Sequence, residues 1–285
     1  FGSNGSDAVG IIGTQHRKIL AINNSIDSAD TMGHINFRHG THTAGSLACF
    51  DVYDYRDGSV PSNGSSMAHG ARIVVQDIVS ADGWVPPENV SELLSEVARY
   101  GGIIHSNSWG DDTTEYTARS GEFDAWSVQM PWSLAFIAPG NTGGALLEPA
   151  NARNVAAIGA STKSESPEKW PSSSIGPTEY GTFGIFALAP GVSIQSAKAD
   201  GISDSYNDDL RSSSGTSMST PTAAAFAGVL QQMVQDGWLV GSNEPLSSTN
   251  LSSISPEWAN LGNNSILLGE GFTPSGPLLK ALMSV

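Results

Sequence analysis

Apolar residues alternate along the chain between short strand-like runs and helical spacings. Residues 18–22 and 72–78 are strand runs, and between them the small residues of 41–50 read as a helix. Residues 87–100 carry Val90, Leu93, Leu94 and Val97 at helical spacing, with proline at the opening and Gly101 at the stop. Ile103-Ile104 opens a strand ending in Asn107-Ser108-Trp109-Gly110, and residues 115–130 read as helix. Residues 132–138 form a strand ending in Pro139-Gly140-Asn141. Further strands are expected at 155–160, 183–189 and 192–197, and an amphipathic helix at 277–283. This succession predicts a three-layer α/β fold, with a mainly parallel central sheet and helices on both faces. In such sheets sites gather where loops leave the carboxyl ends of strands.

Composition narrows the picture. With 285 residues, 39% of them hydrophobic, the chain can bury a large core as one α/β domain over 1–285. Its net charge of −15, with only 13 Lys plus Arg, leaves no basic stripe to grip nucleic acid or an anionic membrane. The single cysteine, Cys49, excludes an internal disulfide and a cysteine-based zinc cluster. No apolar run approaches the 18 residues of a membrane span. No repeat is visible, and 241–255 reads as a Ser/Asn-rich surface loop. Phe1 is not a start methionine and the last helix has no cap, so the sequence reads as cut at both ends.

The chemistry concentrates in two helix starts. Ser214-Gly215-Thr216-Ser217-Met218-Ser219-Thr220-Pro221 is a turn feeding a helix, with Pro221 expected in the first turn, where its missing N–H costs nothing. A hydroxyl there sits among unpaired N–H groups at the positive end of the helix dipole, a favourable place to develop negative charge. The second start is His39-Gly40-Thr41-His42. Its histidines, three apart, could pair on a metal, but a zincin would need a glutamate between them and a third ligand. His42 reads instead as a donor to buried backbone, and His39, at the helix mouth, as a general base.

The stretches 39–45 and 215–221 together resemble the subtilisin-like serine protease family, the subtilases. The intervening Met67-Ala68-His69-Gly70-Ala71, Ser108-Trp109-Gly110, Ala138-Pro139-Gly140-Asn141 and Ala189-Pro190-Gly191 follow that family's order. The resemblance implies a serine endopeptidase working through an acyl-enzyme, with Ser217 as nucleophile, His39 as base and Asn141 as an oxyanion donor. It further implies a substrate cleft walled by Ser108, Trp109 and Gly110 on one side and by Ala138 and Gly140 on the other. Trp109 could equally be packing, and Leu146 or Leu147 is the candidate floor of the main specificity pocket. Polypeptide substrates, an N-terminal propeptide, a monomer, secretion and structural calcium are implied in the same way, with no cofactor for catalysis and no nucleic acid or membrane as partner.

The sequence also departs from the family. The triad's aspartate should end an apolar strand in Asp-Ser/Thr-Gly, and no such motif precedes His39. The expectation is that this strand lies before Phe1, with Asp7 as the alternative inside the chain; Asp27 and Asp30 sit in the loop leading to His39. Other classes fit less well. An α/β-hydrolase needs Gly-x-Ser-x-Gly and a later histidine, whereas Ser219 stands in the last glycine's place and the last histidine is His105. Sedolisin-like peptidases use glutamate in place of histidine. A non-catalytic, peptide-binding relic of a protease is the rival from another class.

Overall fold

In the computed structural model the described residues are 13, 16, 18–23, 38–50, 64–80, 83–85, 87, 89–200, 209–238 and 272–284. Asp7, Asp27, Asp30 and the 241–255 segment lie outside them. The first half runs β1 (Ile19–Asn23), α1 (His39–Ala48), β2 (Ile73–Gln76), β3 (Val79–Ser80), β4 (Gly83–Trp84), α2 (Val90–Arg99) and β5 (Ile104–Asn107). There follow α3 (Ala118–Gln129), β6 (Leu134–Ile137), β7 (Ala156–Ser161), β8 (Ala187–Pro190) and β9 (Ile194–Ala197). The last three elements are β10 (Leu210–Ser213), α4 (Thr216–Gln235) and α5 (Gly276–Leu282).

Strands β5-β6-β7-β8 form a four-stranded sheet, every neighbouring pair parallel. A separate parallel pair joins β1 to β2, with Asn23 opposite Gln76, while β9 and β10 form an antiparallel hairpin. β6 explains the layering. It is buried throughout, and its side chains alternate between two cores. Ala135 and Ile137 join the core shared by α2 and α3, through Leu94, Phe123 and Trp126. Leu134 and Phe136 join the core of α4 and α5, through Ala223, Ala224 and Leu279. A parallel strand covered on both faces reads as a continuous apolar run, which is what Leu-Ala-Phe-Ile is. The fold is the three-layer α/β arrangement, mainly parallel.

Helix α2 shows how local signals set an element. The Asn89 side chain accepts from the Glu92 N–H at 3.1 Å, capping the N-terminus, and Val90, Leu94 and Ala98 bury one stripe. The chain leaves the helix through Gly101 at φ +81.

Helix α4 differs from expectation at Pro221. The helix begins at Thr216, so the proline stands inside it, beyond the first turn. Proline there leaves the carbonyl four residues back without its helical donor. That carbonyl belongs to Ser217, and the Ser108 hydroxyl donates to it at 3.0 Å. The broken helical bond thus becomes a tie between α4 and the end of β5.

Candidate active site

The sequence-selected residues fall on four element ends. Ser217 is the second residue of α4, His39 the first of α1, and these two helices pack against each other. Ser108, Trp109 and Gly110 leave β5, while Ala138, Gly140 and Asn141 leave β6.

The start of α4 is held by backbone and carboxamide rather than by a capping side chain of its own. Gly215 takes φ +153, a conformation that side chains disfavour, and its N–H donates to the Gly191 carbonyl at 2.8 Å. Thr216, fully buried, donates its N–H to Asn141 Oδ1 at 2.9 Å and its hydroxyl to the same atom at 3.1 Å. These bonds fix which end of the Asn141 amide faces the helix. Oδ1 is the acceptor, so Nδ2, a pure donor, is the other end of the amide of this exposed residue. The Asn141 loop is braced in turn: Gly140 accepts from the Ser174 N–H at 3.1 Å, and the Thr142 and Ser174 hydroxyls lie 2.9 Å apart.

His39 is half-buried, and its pKa is lowered from the ordinary 6.5, first by desolvation and then by the charges of His42 and Arg211. The imidazole is therefore neutral near pH 7, the form a base requires. His42 is buried deeper, its Nε2 3.1 Å from the carbonyls of both Ile194 and Arg211. This pins α1 to the β9–β10 hairpin. For an enzyme using His39 as base, the acid limb of kcat/KM is expected below pH 6.5. Replacing Arg211 by Gln removes a repulsive cation and should move the limb upward; a pH–rate profile checks both statements.

The segments that leave β5 and β6 are tied together by a cluster that the motifs did not reveal. Glu148, only 1% exposed, accepts from Arg119 Nη1 at 2.6 Å, from the Thr117 hydroxyl at 2.8 Å and from the Asp111 N–H at 3.1 Å. Arg119 also reaches Asp111 Oδ2 at 3.1 Å, and its guanidinium lies 5.8 Å from the centroid of the Trp109 ring. That ring packs on Phe123, with centroids 6.0 Å apart. The contacts place the Trp109 ring on α3. At position 110 glycine is required, since a Cβ would collide with the Glu148 carbonyl oxygen. Of the two candidate floor residues, Leu146 is fully buried in the core with α2 and α3, whereas half-buried Leu147 packs on Gly140. The one sequence hint of the cluster is a lone acidic residue, between apolar Leu147 and Pro149. Glu148→Ala removes the acceptor of three hydrogen bonds and leaves Arg119 with Asp111 as its carboxylate partner, and the expected loss is roughly 1–3 kcal/mol of unfolding free energy, measurable by urea denaturation.

Among the described residues no group of three or more His, Cys, Asp or Glu is placed to hold a metal ion, and no helix is long and apolar enough to cross a membrane.

The family model described as the subtilase family matches residues 17–269. The chain is 25% identical over 95% of its length to the serine protease/ABC transporter B family protein tagD of Dictyostelium discoideum. It spans only 18% of that relative, and 17% of tagB from the same organism. Subtilisin Savinase of Lederbergia lenta is 27% identical over 68% of this chain and 63% of its own. Among solved structures, the self-cleaved protease domain of PatA superposes with a TM-score of 0.54 at 25% identity, covering 70% of this chain and 69% of that one. A cold adapted subtilisin-like serine proteinase matches in fold, with a TM-score of 0.54 at 23% identity, over 81% of this chain and 71% of its own.

Proposed function

The chain belongs to the subtilase family, and on that premise we propose that it is a serine endopeptidase hydrolysing polypeptides through an acyl-enzyme. One observation carries the reading. Helix α4, which carries Ser217 as its second residue, packs on α1, which begins at His39, and its first residue, Thr216, is bonded to Asn141 in the loop after β6.

A peptide lies extended between the backbone of 108–110 and that of 138–140, pairing as an added strand. Ser217 Oγ attacks the scissile carbonyl while neutral His39 takes its proton. The developing oxyanion is met by the Ser217 N–H at the helix start and by Asn141 Nδ2. Collapse expels the amine, protonated by His39, and leaves the acyl group on Ser217. Water activated by the same imidazole then releases the acid. The reaction uses no cofactor. Substrates are polypeptides, the active unit is a monomer matured from a propeptide, and the protein is secreted; calcium, if bound, is structural.

The test is prolonged incubation with casein, followed by mass spectrometry of new amino termini. New termini that disappear in the Ser217→Ala protein are the expected result. A folded protein that yields none would favour the peptide-binding relic.

A further inference from the structure

The strand that leads to His39 is β1, and its last residue is Asn23. It has the apolar character expected of the strand that delivers the third triad member, Ile19-Leu20-Ala21-Ile22, and the element described next after it is α1, which opens with His39. Where a carboxylate would stand, the chain continues Asn23-Asn24-Ser25. The carboxamide is engaged elsewhere. Asn23 Nδ2 donates to Glu96 Oε2 at 2.8 Å, and its register partner Gln76 donates to the same oxygen at 2.6 Å. An aspartate at 23 would face that carboxylate with no proton to offer, so Asn23 and Glu96 are a matched pair. Among the described residues, the charges acting on His39 are those of His42 and Arg211, both lowering its proton affinity.

We propose that Asn23 occupies the strand-end position of the triad's carboxylate, so that His39 works without an acidic partner and the chain is an attenuated peptidase. The proposal rests on the reading of Ser217 and His39 given above. On it, the strand is present and its last residue differs, in place of a strand lying before Phe1. The chemistry follows from the imidazole. A carboxylate selects the tautomer that presents a free nitrogen to the serine and stabilises the imidazolium once the proton has moved. A carboxamide does neither with full charge. In subtilisin, a member of the same family, loss of the aspartate alone costs about 3 × 10⁴ in turnover.

The experiment installs the missing charge in the full-length protein and removes its competitor. Asn23→Asp/Glu96→Gln is compared with wild type for kcat/KM on a fluorogenic peptide and for its pH profile. The double variant should gain at least about 10²-fold in kcat/KM, within the range set by the subtilisin aspartate. Its acid limb should move upward, because a new carboxylate holds the proton on His39. A merely structural repair would not move that limb. Where the double variant folds poorly, Asn23→Asp alone should show the same direction with a smaller gain. Equal rates and profiles in wild type and variants would overturn the proposal, and so would loss of the wild-type rate on Asp7→Asn with Asn23→Asp neutral. If no form hydrolyses peptide or yields new termini from casein, the peptidase reading itself fails, and this proposal with it.

Discussion

Ser217→Ala is expected to abolish labelling by a fluorophosphonate outright and to reduce peptide turnover by on the order of 10²-fold, a figure that follows from two losses known for subtilisin. Removing its serine costs about 2 × 10⁶ and removing its aspartate about 3 × 10⁴, so a base without a carboxylate retains roughly their ratio as serine-dependent catalysis. In the Asn23→Asp/Glu96→Gln background the same change should cost more, approaching about 10⁶-fold. The rates of four proteins, with and without each change, measure this coupling directly. Folding should persist: Ser217 is half-buried, and the tie it makes to Ser108 runs through its carbonyl, which alanine keeps.

Asn141→Ala should cost roughly 10²–10³-fold in kcat, the effect of losing one oxyanion donor. That figure too is borrowed from subtilisin. The alanine variant also removes the acceptor for the Thr216 N–H and hydroxyl, so Asn141→Asp separates the two roles. The aspartate keeps an acceptor for both Thr216 bonds, loses the Nδ2 donor and sets a negative charge against the oxyanion. It should fold as well as wild type and turn over no faster than the alanine variant. An aspartate variant with near-wild-type kcat would reduce Asn141 to a helix brace.

The helices and the central sheet were legible because their signals are local. Val90, Leu93, Leu94 and Val97 at helical spacing, with Gly101 at the stop, announce α2, and the apolar run that includes Leu134–Ile137 announces a strand. Strand β10 was not legible. Leu-Arg-Ser-Ser is mostly exposed and carries neither alternation nor an apolar run; it is a strand because β9 and the His42 ring hold it. The interior Pro221 was misplaced for a related reason, since its tolerance depends on a hydroxyl far away in sequence, that of Ser108.

The site divides along the same line. Motif residues at helix starts and strand ends could be found by order and spacing. The Glu148 cluster could not, because its members are drawn from three stretches of chain and meet only in the fold. Nor could Asn23 be found by looking for a carboxylate, since the strand end carries an amide whose partner, Glu96, lies on a helix 73 residues further on.

The central claim, that Ser217 is a nucleophile activated by His39, is tested most directly by reacting the folded wild-type protein with a fluorophosphonate and mapping the adduct by peptide mass spectrometry. The expected result is a single adduct on Ser217, absent from the His39→Ala protein. An adduct at another residue, or one on Ser217 that forms at the same rate without His39, would contradict the claim.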